Sequence, residues 1–314
     1  MIKVEHIQAS ICANTGARID TLICEYPRVI HSQLLTHRVF SKNSSSTRAI
    51  PLEKAIEQLK ANPAEYIWTE NQAGMQGKVI QPKNNKKRLE SINHFHNAAM
   101  WNAIQAARKL SEEPLKVHKQ NAGRYLEPFQ NIKIVLTSTE WENWDWLRDD
   151  PAAQGEIAEL ARAISKARAE AEPMVLNEGE WHVPFVDRAR NDFGSVVYYV
   201  NDHVLSTENA KLVSMSVCAQ TSYRNADYSL EKAIDMRGKL LDSKKVHASP
   251  SEHQATPVPD LRLSGATVAN VLSTLFTLPV GVTHLDRKGN AWSGNFCGWI
   301  QARQLLSNHD KAKS

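Results

Sequence analysis

The sequence predicts a chain of intermixed helices and strands, of α+β or α/β class, on three observations. Alternating apolar and polar residues at 3–7 and 18–22 flank the turn-forming Asn14, Thr15 and Gly16, the pattern of a β-hairpin. Apolar residues recur at helical spacing in most later segments, while the β-branched run at 132–136, bounded by turn formers, reads as a short buried strand. No internal repeat or heptad interrupts the mixture, so one compact domain over 1–314 is expected.

Taken in order, the hairpin fills 1–26. Pro27 suits the first turn of a helix carrying Val29, Ile30, Leu34, Leu35, Val39 and Phe40 on a broad apolar face. The polar run at 41–48 reads as a loop, and Pro51 opens a helix over 52–60. Residues 62–88 are rich in Pro, Gly and Asn and read as irregular. A longer helix is predicted at 89–119 through Ile92, Phe95, Ala99, Ile104 and Leu110. After the strand come helices at 140–148 and at 152–171, the latter with Ile157, Leu160, Ala161 and Ile164 at helical spacing. Beyond Pro173 the chain is mixed to 206. Helices are then predicted at 207–219 and 229–242, a Pro/Ser-rich stretch at 249–259, and helices at 267–278 and 296–306.

Composition narrows the function classes. The chain is 42% hydrophobic and 23% charged over 314 residues, an ordinary globular balance. Its most apolar stretch, at 268–282, is short and broken by Asn270, Ser273, Thr274 and Pro279. It cannot span a bilayer, and a cytoplasmic protein without a membrane partner is expected. Four cysteines, at 12, 24, 218 and 297, form no Cys-x-x-Cys pair, which argues against a disulfide framework or zinc site and for buried or spectator thiols. A net charge of +4 fits either nucleic acid or a small anionic substrate. The basic run at 83–88 lacks interleaved aromatic residues and reads as a solvated loop, so nucleic acid is not expected.

The segment 33–48 carries the most chemistry. Gln33 and His37 lie one helical turn apart with Arg38 adjacent, followed by Ser41, Asn43, three serines and Arg48. Hydroxyls and backbone amides backed by arginine suit a phosphate monoester; composition alone favours a polar surface loop after an amphipathic helix. His37, Arg38, Ser41, Asn43, Ser46 and Arg48 stand at spacings that resemble the signature of the flavin-dependent thymidylate synthase (ThyX) family. Gln33 occupies the place of that family's substrate-contacting glutamine. The resemblance implies that His37, Arg38, Ser41 and Asn43 contact the flavin, and that Gln33, Ser46 and Arg48 hold the nucleotide.

A second block is similar to the family's second conserved half. It runs from Arg124 through the strand to Asn143, Arg148, Gln154, Glu156 and Ile157. The resemblance assigns Arg124 to the substrate phosphate, Asn143 to the flavin and Arg148 to the pyrimidine, with Arg148 and Ser46 taking part in catalysis. Without it, Arg148 reads as a salt-bridge partner of Asp149 or Asp150, and Gln154 and Glu156 as solvated surface.

A third block is out of the family's order. Ala219, Gln220, Thr221, Ser222 and Tyr223, a helix, and His247, Ala248, Ser249, Pro250, Ser251, Glu252 and His253 resemble segments that normally precede the signature. The chain therefore resembles a circular permutation, which surface loops and termini tolerate. By resemblance Ser222, His247, Ser249 and Glu252 approach the flavin. The two histidines alone also allow a metal site, but no third ligand cluster stands nearby and no metal is expected.

The signature block (27–60), second block (118–171) and permuted block (207–255) leave 61–117 and a C-terminal extension at 256–314 without family counterparts. Met75 and Gln76, with Gly294, Asn295, Phe296, Trp299, Gln301 and Arg303, read either as pocket walls or as packing. Thr36, Ser44 and Ala158 stand where the family commonly has Arg, Glu and Arg.

The resemblance implies an α+β fold, an antiparallel sheet with helices packed around it in permuted order. It also implies reductive methylation of dUMP to dTMP with FAD, NADPH and methylenetetrahydrofolate, in a homotetramer. No cysteine stands in a nucleophile motif, which fits chemistry in which the cofactor supplies the redox step. Two rivals are another C5 modification, such as dCMP methylation or hydroxymethylation, and a non-catalytic paralogue that binds nucleotide or nucleic acid.

Overall fold

The computed structural model describes residues 2–74, 77–222, 225–243, 246–260 and 278–306. Met75, Gln76, Tyr223 and all but the last residue of the helix expected at 267–278 lie outside the described residues.

The hairpin forms as expected: β1 (Lys3–Cys12) and β2 (Arg18–Pro27) pair antiparallel, with Gly16 at φ +72° in the turn, where a side chain would be strained. The helix expected over 27–40 is cut short. A 3-10 turn (Arg28–Ile30) leads into α1 (His31–Leu35), and the Thr36 hydroxyl donates to the Gln33 carbonyl at 2.7 Å, competing with helix continuation. Ser41–Ser44, read as loop, is β3. It has no apolar alternation because it is an edge strand, made by pairing with β4 (Asn131–Ser138).

Helix α2 (Leu52–Ala61) buries Ala55, Ile56 and Leu59. Helix α3 (Pro82–Ser111) starts two turns earlier than expected, with Pro82 in its first turn and a break at Asn85. It stops before Pro114, which is incompatible with a helix interior. The short α4 (Lys119–Ala122) and a 3-10 turn (Gly123–Phe129) lead into β4, and α5 (Glu142–Arg148) and α6 (Gly155–Glu170) follow. The mixed region resolves into β5 (Met174–Leu176) and a meander of β6 (Asp187–Arg190), β7 (Val196–Val200) and β8 (His203–Leu205). Helices α7 (Thr207–Ala219) and α8 (Leu230–Leu240) are each N-capped by a serine hydroxyl, from Ser206 and Ser229.

A 3-10 turn (Ser249–Glu252) precedes β9 (Ala255–Pro257). The helix expected at 296–306 is absent. That region forms part of a run of short strands, β10 (His284–Leu285), β11 (Ala291–Ser293), β12 (Phe296–Cys297) and β13 (Trp299–Gln301), then a 3-10 turn (Ala302–Leu305). Gly294 and Gly298 sit at φ +60° and +74°, which no helix allows.

The central sheet runs β3-β4-β2-β1-β5, antiparallel except at β5, so the expected α+β class holds. Its two faces differ. Leu22, Cys24, Tyr26, Ile132, Ile134 and Leu136 form one face, packed under Ile157, Leu160, Ala161 and Ile164 of α6 and under Trp144 and Phe40. Each large aliphatic buried there stabilises by about 1.5–3 kcal/mol. The other face joins Cys12 and Ile19 to Ala255, Phe296, Trp299 and Ile300, and carries a buried polar row in which Ser10, His182, Thr21, Thr137 and His253 are linked in turn by hydrogen bonds. Cys12, Cys24 and Cys218 are buried, and all four cysteines are free. Among the described residues no helix is long and apolar enough to cross a membrane.

Candidate functional site

The signature segment is the hub of three clusters. In the first, Arg148 at the end of α5 turns back onto the turn that follows α1. Its Nε donates to His37 Nε2 at 3.0 Å, and its Nη2 donates to the Gln33 carbonyl and the Thr36 hydroxyl, both at 3.3 Å. Asp149, a partner the sequence allowed for Arg148, instead pairs with Arg162 at 3.2 Å. The Asp150 carboxylate accepts the Ala152 amide at 2.7 Å.

His37 is 6% exposed, packed face to face with Phe40 and edge-on to Trp144. Burial, and then the neighbouring charges of Arg148 and Lys42, push its pKa down to about 4. Because Arg148 is an obligate donor, neutral His37 carries its proton on Nδ1. Gln33 donates to Gln154 at 2.6 Å, Gln154 donates to Glu156 at 3.0 Å, and Glu156 accepts the Ile67 backbone amide at 2.8 Å. Glu156, which the sequence alone placed on the surface, is 3% exposed. It thus ties the 62–81 stretch to α6.

The second cluster is basic. Arg48 and Arg124 line one open cleft with Gln120 and Asn121. Arg124 Nη1 donates to Glu127 at 2.7 Å, and the same carboxylate receives Thr47 at 3.1 Å and Arg28 at 3.3 Å. Beside it, a second cleft of about 340 Å³ is lined by Arg28, Ser45, Thr47, Lys133 and Ser222, among others. Ser46 donates its backbone amide to Ser222 Oγ at 2.8 Å, and Asn43 Nδ2 donates to the Cys218 carbonyl at 3.2 Å. The end of α7 and the residues after it therefore lie against β3, although they follow it by some 175 residues in the chain.

The third cluster lies at β3 itself. Ser41 is fully buried; its hydroxyl receives the Asn295 and Gln301 amides at 3.1 Å each. Gln301 also donates to the Glu252 carbonyl at 3.0 Å, and Arg303 is ion-paired with the Glu252 carboxylate. The extension past residue 256 thus braces the signature strand. Lys42 donates to the His37 carbonyl at 2.8 Å, and burial lowers its pKa. Arg38, Asn143, His247 and Ser249 present exposed side chains.

The structure therefore brings together Gln33, His37 and Arg148; Arg48 with Arg124; Ser46 with Ser222; and Ser41 with Glu252. Among the described residues no hydrogen bond links the Arg48–Arg124 cleft to Arg148. Sequence reasoning missed Trp144, Gln120 and Asn121 as neighbours of these clusters, and it gave Gln154 and Glu156 no site role. Only their quotation within the second block signalled the last two.

The family model described as "Thymidylate synthase complementing protein" (Thy1) matches residues 17–174, which span the signature and second blocks and leave the permuted block outside. Among solved structures the chain is similar to the crystal structure of a UMP/dUMP methylase PolB from Streptomyces cacaoi bound with 5-Br UMP. Identity there is 14%, over 54% of this chain and 89% of that one, with a TM-score of 0.39. No curated protein matches the chain.

Proposed function

The chain belongs to the thymidylate synthase complementing protein family, and from that premise we propose that it methylates the pyrimidine ring of a deoxynucleotide monophosphate, dUMP to dTMP, as a flavin-dependent cytoplasmic enzyme. The observation that carries the reading is the bonding of Arg148 to His37 and Gln33 across more than 110 residues of chain. This arrangement joins the two motif blocks in one place.

The residues divide the work by chemistry. Arg48 and Arg124 offer guanidinium forks to a phosphate in one cleft. Gln33 and Arg148 face the base, where the positive charge of Arg148 stabilises negative charge developing on a ring carbonyl. Ser46, held through its amide by Ser222, keeps its own hydroxyl available to the nucleotide. The exposed polar side chains of Arg38, Asn143, His247 and Ser249 suit the phosphates and heteroatoms of FAD, and Glu252 beside β3, paired with Arg303, can accept from its N–H or hydroxyl donors. When bound, FAD supplies the reduction, with NADPH and methylenetetrahydrofolate as electron and carbon donors.

One domain over 1–314, and a tetramer sharing these surfaces, complete the proposal. A second reading, C5 modification of dCMP, is favoured by Thr36: a hydroxyl that receives Arg148 stands where the family has Arg.

The visible spectrum of the purified protein is the first test. Flavin absorption supports the proposal, whereas a colourless protein that FAD cannot reconstitute sinks it. Assay of dUMP and dCMP side by side, with product masses, separates the two substrates.

A further inference from the structure

Both oxygens of the buried Glu156 carboxylate are taken by N–H donors. Oε1 accepts the Ile67 backbone amide at 2.8 Å, and Oε2 accepts Gln154 Nε2 at 3.0 Å. Gln154 Oε1 in turn accepts Gln33 Nε2 at 2.6 Å. Gln154 is exposed and Gln33 half-buried. The run therefore starts at a fixed group inside the protein and ends at a side chain that a ligand can reach. At that end, Gln33 Oε1 makes no hydrogen bond among the described residues.

The carboxylate dictates the polarity of the run. A side-chain amide has a donor end and an acceptor end, whereas a carboxylate only accepts, so Gln154 meets Glu156 with its nitrogen. The oxygen of Gln154 is thereby turned to Gln33, which answers with its own nitrogen and leaves its oxygen outermost. Turned over together, the two glutamines would keep the bond between them. They would also set Gln154 Oε1 against Glu156 Oε2, two acceptors with no proton between them.

Without the carboxylate the outcome reverses. In Glu156→Gln the Ile67 N–H still requires an acceptor, so the new amide keeps its oxygen there and turns its nitrogen to Gln154. Every bond then forms only if Gln154 and Gln33 are both turned over, and Gln33 presents N–H outward.

Gln33 stands beside Arg148, whose Nη2 donates to the Gln33 carbonyl at 3.3 Å and whose Nη1 makes no hydrogen bond among the described residues. An acceptor from Gln33 next to a donor from Arg148 complements uracil, where N3–H lies between two carbonyls. Cytosine meets that pair only at its amino group beside N3. Two donors side by side suit cytosine at N3 and O2, and they match no adjacent pair on the same edge of uracil.

We propose that Glu156 is a positioning residue that sets base specificity. Through Gln154 it holds the Gln33 side-chain oxygen toward the ligand, and the site thereby selects uracil over cytosine. The choice of base rests on the proposed function, in which Gln33 and Arg148 face the pyrimidine; the orientation of the two amides does not.

Calorimetry of the full-length protein with dUMP and with dCMP reads the choice of base. The parent protein is expected to bind dUMP more tightly. Glu156→Gln weakens dUMP about tenfold or more, the cost of opposing two N–H groups, while dCMP keeps or gains affinity. General damage to the site would weaken both nucleotides alike. If Glu156→Gln does not fold, Gln154→Met, at an exposed position, frees Gln33 to turn either end outward and lowers the dUMP-to-dCMP affinity ratio severalfold. A parent protein that prefers dCMP, or a ratio unchanged in the variant that folds, overturns the proposal.

Neutron diffraction from ligand-free crystals grown in heavy water reads the orientation directly. Deuterons are expected on the Gln154 atom facing Glu156 and on the Gln33 atom facing Gln154, and the opposite arrangement in the parent protein sinks the idea. If the parent binds neither nucleotide, the proposed function has failed, and the deuteron positions still judge what Glu156 does.

Discussion

Lowering the pH from 7.5 to 5 should strip a calculable amount of stability from the ligand-free protein. His253 is completely buried, and burial depresses its pKa from an ordinary 6.5 to about 3. Above pH 6.5 the ring is neutral in both folded and unfolded states and makes no difference. Below 6.5 the unfolded chain binds a proton that the folded protein refuses, so stability falls with pH until the folded value near 3 is reached. At pH 5 that difference is about 2 kcal/mol. His182, equally buried and shifted the same way, adds a similar amount in the same window. His37, 6% exposed and depressed to about 4 with burial as the leading cause, adds nearly as much at pH 5, whereas His31, also depressed to about 4 by burial, is partly exposed and contributes less. A combined loss of about 4–6 kcal/mol is a large part of the about 5–15 kcal/mol that holds a typical domain. Urea unfolding at fixed protein concentration, repeated across the same pH window, measures it. His253→Asn, whose side-chain oxygen can still accept from Thr137, should flatten the dependence by about 2 kcal/mol. Stability that stays constant from pH 7 to 5, or an undiminished slope in His253→Asn, would refute the reasoning.

Other expectations are more local. Arg148→Ala removes three hydrogen bonds, one of them the donor to buried His37 Nε2; it should lower stability by about 1–3 kcal/mol while reducing kcat by about 10²–10³-fold, read by unfolding and turnover together. Arg48→Ala should weaken nucleotide binding about 10- to 100-fold through loss of a charge-assisted contact, and calorimetry showing unchanged dUMP affinity would remove Arg48 from the phosphate cleft. Gly298→Ala should destabilise by about 2 kcal/mol or more, because φ is +74° and a new Cβ would stand 2.6 Å from the Ala17 Cβ; its melting temperature gives the answer.

What the sequence disclosed follows from how each element is stabilised. The hairpin, α2, β4 and α5 to α8 bury one periodic face, and periodicity is visible in one dimension. β3 is the opposite case: Ser41, Lys42, Asn43 and Ser44 are a strand only because β4 pairs with them, and backbone pairing leaves no pattern in side chains. The strands after residue 284 are two or three residues long, below the length at which alternation can be recognised. Apolar residues at 296, 299 and 300 mimicked a helix that Gly294 and Gly298 forbid. At the candidate site, Gln33, His37, Arg48, Arg124 and Arg148 were legible because they sit in spaced motifs. Ser10, Thr21, Thr137 and His182 were not, because each comes from a different stretch of chain and they meet only by lateral registry in the sheet or in its cover.

The bonds from Ser41 to Asn295 and Gln301 span more than 250 residues, and Trp299 reaches back to the Ala17 carbonyl at 3.1 Å. A ribosome must therefore emit nearly all of the described chain before the Ser41 hydroxyl on the edge strand has its amide partners. Until then the hairpin and β4 can pair, but their polar face waits uncovered, a late-closing arrangement of high sequence separation that folds slowly and exposes sheet surface on the way. Completion of the bracing around this edge strand is a late event in biosynthesis rather than an early one.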